Sequence, residues 1–356
     1  MTDGAGPERL AWIEAARTLA CALVVLVHVN IAFRPGVDAW WPNGLYSLPV
    51  FTLAVPVFFA IAGFLAERRP PHAGEEAAWL SGRLARLLPP YFAWNALLLA
   101  TGAQGAGLTP AEVALFFVFG TRHLYFVCAL VQLLALHAFL GRRVPGRRLV
   151  VLAVTLSVVY YVLADSAAWV TGSGGEILER VLNRLCAGWA VYYAVGAWLA
   201  RSETGLARVE RRLGALAGAA AVLYAVYALE IRAMFLRFGF HPILQFIGTG
   251  LPFQLVGALC VLAGFRRLET GALGARVVER LATTGPDTFG IYLSHVSVQL
   301  GLFALALAAG YAGTDALEVP VLAVASWVVC RAGLAAARRV APAAAVLLLG
   351  AARRLT

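Results

Sequence analysis

No lysine occurs anywhere in the 356 residues, so all 29 basic side chains are arginine. Schiff-base and lysine-nucleophile chemistry are thereby excluded, leaving His, Glu, Asp, Ser, Cys and Tyr to attack or to move a proton. Charge is scarce as well. Only 13% of the residues are charged while 61% are hydrophobic, too little polar surface to close a water-soluble globule of ordinary make-up. Cysteine is sparse and scattered: Cys21, Cys128, Cys186, Cys260 and Cys330 each lie in a different apolar block, without the spacing of a disulfide or zinc site. They read as small buried apolar residues, and no metal site is expected. The alternating pattern of a barrel is missing too. So is any basic run interleaved with aromatics that would turn the net charge of +10 into a nucleic-acid footprint. With no cleavable signal segment, linker or soluble appendage in the pattern, the chain reads as one integral membrane domain over residues 1–356 with no nucleic-acid partner.

What is present falls into apolar blocks of roughly 18 to 23 residues, the length a helix needs to cross about 30 Å of hydrocarbon. About ten such blocks predict an all-α, polytopic membrane helix bundle, with spans over 11–33, 45–66, 84–100, 123–140, 149–164, 184–200, 213–230, 243–264, 287–310 and 319–337. The apolar segment 111–119 is too short to cross and reads as a re-entrant or interfacial piece before the fourth span. Arginine sets the orientation. Four follow each of spans two, four, six, eight and ten, and Arg9 brings that side to 21, against six on the other side and two (Arg17, Arg331) within spans. The positive-inside rule then puts both termini in the cytoplasm. Gly214 and Gly218, four apart in the seventh span, read as a close-packing pair.

An ionisable group inside a span costs a few kcal/mol on insertion scales and tends to be kept for a reason. The first span holds three, Glu14, Arg17 and His28. Eleven helical steps return to within about 20° of the starting direction, so they form one stripe, with Arg17 and His28 about 16 Å apart along the axis. Taken alone, Arg17 snorkels to the inner interface with Glu14 as partner, and His28 is a histidine bonded to a neighbouring helix. Arg83 and Arg86, in RLARLLPPYF, lie three apart on one face at the cytoplasmic mouth of the third span. Paired forks there suit the phosphates of a soluble donor, and positive-inside topology also accounts for them. In DTFGIYLSH, His295 lies about halfway through the ninth span, a second histidine at membrane depth placed to line the same cavity. His123, in TRHLYFVCAL, opens the fourth span on the outer side, either at an acceptor site or among the headgroups. His72 and His137 read as bland.

Five segments, in order, resemble the membrane acyltransferase-3 family. IEAARTLACALVVLVHVN is similar to its opening span, including the arginine and histidine at Arg17 and His28. PVFFAIAGFLAERR resembles the second span, RLARLLPPY the arginine pair, RHLYFVCAL the start of the fourth span, and GIYLSH the ninth-span signature. Glu14 stands where aspartate is usual, Ala62 where serine is common, and Tyr125 where tryptophan is usual.

The resemblance implies an O-acyltransferase in a bacterial plasma membrane, moving an acyl group, in the first instance acetyl, from acetyl-CoA or another acyl-CoA. The acceptor is a hydroxyl of a carbohydrate, envelope glycan or secondary metabolite. A thioester is already activated, so the enzyme must position it, deprotonate the alcohol and stabilise the oxyanion. Histidine suits the base near neutral pH. The expected roles are His28 as general base, Arg17 and Glu14 ordering the cavity below it, and Arg83 and Arg86 holding the donor phosphates. His295 orients the acceptor or stabilises charge, and His123 and Tyr125 contact the acceptor. The alternative is a transporter or flippase using the buried Glu, Arg and His as a pathway. Against it, no inverted halves are visible and the polar residues cluster in the first, third and ninth spans.

Overall fold

The computed structural model describes residues 10–32, 50, 52–101, 109–141, 143–144, 146–171, 184–238, 246, 248–310 and 318–350. Among these, every regular element is a helix: α1 (Ala11–Ala32), α2 (Ala54–Arg68), α3 (Glu76–Ala100), α4 (Pro110–Phe119), α5 (Tyr125–Leu140), α6 (Gly146–Thr171), α7 (Ala190–Arg201), α8 (Glu203–Arg211), α9 (Leu213–Phe238), α10 (Gly250–Glu269), α11 (Ala272–Ala282), α12 (Thr288–Ala308), α13 (Glu318–Val340) and α14 (Pro342–Leu349). Short 3₁₀ turns, Arg122–Leu124, Cys186–Trp189 and Gly285–Asp287, lead into α5, α7 and α12. Each apolar block overlaps a helix, though the block at 184–200 holds the twelve-residue α7 and that at 45–66 the fifteen-residue α2, and the short block 111–119 is the ten-residue α4. The expected starts of two spans, 45–49 and 243–245, and Arg9, Arg34, Arg142, Arg180, Arg353 and Arg354 lie outside the described residues. Three helices lie outside the expected blocks: α8 and α11, in arginine-bearing connections whose apolar residues are too few to form a block, and the eight-residue α14, apolar but too short to cross.

Among the described residues six helical stretches are long and apolar enough to cross a membrane: Ala11–Val29, Gly146–Ser166, Leu213–Met234, Gly250–Glu269, Ala272–Ala308 and Pro320–Val340. Their outer faces need a solvent that is not water. Val151, Leu152, Val159 and Leu163 of α6, and Val222, Leu229 and Leu236 of α9, all point outward and exposed, and a run of large apolar side chains facing out along whole helices is solvated by lipid.

The tightest crossing joins α2 to α7. A Cβ at Gly63 would run into the Tyr193 carbonyl oxygen, and one at Gly196 into that of Ala60, so the two backbones touch reciprocally and only glycine permits it. Gly214 and Gly218 depart from expectation. Among the described residues nothing lies within 4 Å of where their Cβ atoms would be, because a spacing of four marks a helix face without determining what packs on it.

At the centre stands α1, packed against α2, α10, α11, α12 and α13. It runs in the same direction as α12: the Glu14 carboxylate lies against Gly285, Cys21 Sγ reaches the Thr288 carbonyl at 3.5 Å, and the rings of His28 and His295 stand 4.9 Å apart.

Candidate active site

Three histidines from three separate parts of the chain meet at one point. His28 comes from α1, His295 from α12, and His123 from the 3₁₀ turn ahead of α5. Ring centroids are separated by 4.9 Å for His28 and His295, 4.7 Å for His123 and His295, and 5.6 Å for His28 and His123. The rings meet edge to face, with interplanar angles of 76°, 67° and 71°. Among the described residues no group of three or more His, Cys, Asp or Glu is arranged to hold a metal ion.

Local hydrogen bonds determine which nitrogen each ring offers. His28 Nδ1 lies 2.8 Å from the Val24 carbonyl, and His295 Nδ1 lies 2.6 Å from that of Tyr292. A carbonyl only accepts, so both neutral rings carry the proton on Nδ1 and keep the basic lone pair on Nε2. Among the described residues, His295 Nε2 and both ring nitrogens of His123 are buried and make no hydrogen bond of good geometry, the His123 ring lying near the backbone of Tyr292 and Leu293. His123 is only 2% exposed, so of its two expected surroundings the headgroups are ruled out for its ring.

His123 owes its place to a set of bonds that sequence reasoning missed. Thr109 caps α4 in a capping box with Glu112, behind Pro110 in the first turn. Gly120 ends α4 at φ 80°, where a Cβ would press on the Leu124 and Tyr125 backbone at 2.8 and 2.9 Å. The turn is then bolted in place from outside. Arg184 donates to the Phe119 and Gly120 carbonyls at 2.7 and 2.9 Å, Asn95 accepts from the Thr121 amide at 2.8 Å, and Tyr91 donates to the end of α4. Tyr292 Oη donates to the His123 carbonyl itself. A buried arginine beside a predicted span was the only visible signal, since Asn95, Tyr91 and Tyr292 look like ordinary core residues in the sequence. Tyr125, two residues beyond His123, stacks on Trp189 at 6.2 Å.

Glu14 and Arg17 pair with each other at 3.2 Å, while Thr18 ties α1 to the Leu281 carbonyl at 2.9 Å. They occupy the opposite end of α1 from His28, about 16 Å along the axis. Neither touches the histidine cluster in any described contact.

Arg83 and Arg86 share a face of α3 but have different surroundings. Arg83 stacks over Trp79 at 3.4 Å and donates to the Arg69 carbonyl at 3.3 Å. Trp79 in turn stacks on His137 at 5.5 Å. Burial, and then the neighbouring charge of Arg86, push Arg83 down to about 10, which leaves it a cation at neutral pH. Arg86 is exposed, with Nε 3.3 Å from the Gly82 carbonyl. His137 is also more than bland: it is 3.8 Å from Glu67, which pairs with Arg201 at 2.8 Å. A cleft of about 370 Å³ lies on α3 beyond the arginines, between Ala93, Trp94 and Leu97 and the α13–α14 residues Ala341 and Leu348. None of the candidate residues lines it.

Long outward-facing apolar helices around a buried polar cluster define a multi-pass membrane protein. The chain belongs to the acyltransferase family whose domain model, described as an acyltransferase domain, matches residues 10–332. It is therefore an acyltransferase. No curated protein and no solved structure matches it.

Proposed function

We propose that this membrane acyltransferase moves an acyl group, in the first instance acetyl, from cytoplasmic acyl-CoA to a hydroxyl of a carbohydrate, envelope glycan or secondary metabolite. His28 is the general base. The observation that carries this reading is the meeting of half-buried His28 with buried His123 and His295 in one cluster, with the His28 proton held on Nδ1 by Val24. His28 Nε2 takes the hydroxyl proton as the oxygen attacks the thioester carbon; the C–S bond breaks, and the proton passes to the departing CoA thiolate. His123 and His295 border the space where the acceptor oxygen and the developing oxyanion sit.

Arg86, exposed in the first half of α3, and Arg83, oriented by Trp79, hold the donor phosphates. Glu14 and Arg17 stiffen the entrance end of α1. The donor's pantetheine arm covers the axial distance to His28, about 16 Å from the Arg17 level. Ten crossings with both termini in the cytoplasm suit the arginine distribution. They also suit α1 and α12 running the same way, since spans one and nine are separated by an even number of crossings. A bacterial plasma membrane is the matching location.

The test uses purified protein in detergent micelles with acetyl-CoA and a panel of sugars, reading CoA release and ester formation. Wild type forms an ester that depends on acetyl-CoA, and His28→Ala does not. Undiminished transfer by the variant removes His28 from the mechanism.

A further inference from the structure

Gln299 lies on α12 one turn beyond His295 and is 1% exposed, with the two Cβ atoms about 6 Å apart by helix geometry. Its Nε2 donates to the Val25 carbonyl of α1 at 2.9 Å. This bond determines which way the amide faces, because the reversed amide would set two acceptor oxygens against each other. Its Oε1 therefore points away from Val25, and it is buried with no hydrogen-bond partner among the described residues. The adjacent carbonyl, that of Val24, takes the Nδ1 proton of His28. Glutamine amide and imidazole are thus tied to successive carbonyls of one helix. Oε1 of Gln299 joins His295 Nε2 and both ring nitrogens of His123 as a buried polar atom without a partner. A fold that buries such atoms together without pairing them keeps them for a ligand, since each costs about 1–3 kcal/mol when left unmade.

The chemistry of these atoms says what that ligand carries. An alcohol has one hydroxyl proton, and on the acyl-transfer reading above, His28 takes it. An acceptor-only oxygen such as that of Gln299 then needs a second O–H on the same molecule. We propose that Gln299 is a substrate-binding residue whose side-chain oxygen receives a hydrogen bond from a hydroxyl adjacent to the one being acylated, so that the site selects a vicinal diol over a simple alcohol. The neighbouring hydroxyl stays intact. Only the attacked one loses its proton to His28, forms the new C–O bond and displaces the thiolate. The inference rests on that reading and goes beyond it by naming the acceptor's required pattern.

Purified protein in micelles is given acetyl-CoA and either vicinal cis-cyclohexanediol or cyclohexanol, and monoacetate and free CoA are measured. Wild type favours the diol by about tenfold in kcat/KM, the worth of one buried hydrogen bond. Gln299→Met keeps the length and loses the acceptor oxygen. It falls about tenfold on the diol, stays within about twofold on cyclohexanol, and shows an unchanged KM for acetyl-CoA. Gln299→Glu is the second variant: burial favours its neutral acid, which donates to Val25 and still accepts, so the preference persists. The ratio between acceptors guards against poor folding, which lowers both rates together. Equal use of the two alcohols by wild type, a preference that survives Gln299→Met, or CoA release with no diol ester overturns the role of Gln299 and leaves acyl transfer standing. No CoA release from wild type with either alcohol or with water sinks the acyl-transfer reading, and this one with it.

Discussion

At the Glu14 end of α1 the charged side chains have partners: Glu14 with Arg17, and Asp287 with both Arg338 and Arg331 of α13. At the His28 end, one to two turns from the other rim of the same helix, buried ring nitrogens and an amide oxygen have none. Both regions hold ionisable or polar groups at membrane depth, where each is costly. The first answers that cost with ion pairs within the protein, leaving Arg338 Nε as its one unbonded buried atom among the described residues, and tightens α1, α12 and α13 into one unit. The second leaves it unanswered, which is how a site that awaits a substrate differs from a polar brace. Charge inside a span is therefore a weak guide to chemistry until its partners are known.

The sharpest way to break this contrast is His28→Ala. Loss of a general base lowers transfer by roughly 10²–10⁴-fold, while thermal unfolding in micelles stays close to wild type because the site is not a brace. A large fall in stability with a small fall in rate would erase the distinction. Next in size is Gly196→Val, which forces apart the α2–α7 backbones at the Ala60 carbonyl and costs about 3 kcal/mol through overpacking, read from denaturant unfolding in micelles. Asp287→Asn attacks the paired end. Removing a carboxylate that is 10% exposed and faces two arginines is expected to cost about 2 kcal/mol, with turnover per folded molecule changed less than about twofold. The smallest effect separates the two arginines of α3. Arg86→Gln raises KM for acetyl-CoA about fivefold without touching stability, the worth of one exposed charge-assisted contact. Arg83→Gln raises it similarly and also lowers the unfolding temperature, because the stack on Trp79 is lost.

Much of this was legible before any coordinates. The apolar blocks at 11–33 and 319–337 mark a helix to within about three residues at both ends, while those at 149–164 and 213–230 mark the starts of α6 and α9 but stop well short of their ends at Thr171 and Phe238; block length and hydrogen-bonding need in lipid call for a helix but do not set where it stops. His28, His295 and His123 were each singled out as polar residues that apolar packing does not explain. The pairing of Gly214 with Gly218 was misleading, and His137, read as bland, sits against Glu67 and Trp79. Gln299 passed unnoticed because a neutral amide in a span gives no charge signal, and Arg184 because a loop arginine was already accounted for by topology.

By itself the sequence determined what depends on one helix at a time: that each apolar block is helical, and the stripe that carries Arg17 and His28 on one face. Those follow from a rise of 1.5 Å and a period of 3.6 residues, which every residue in a helix obeys alike. Only the tertiary structure decided that α1, α12 and the turn before α5 bring three imidazoles within 5.6 Å, that glycines on α2 and α7 meet, and that Gln299 faces inward. Which face meets which is settled by packing among side chains distant in the chain, and no local pattern records it.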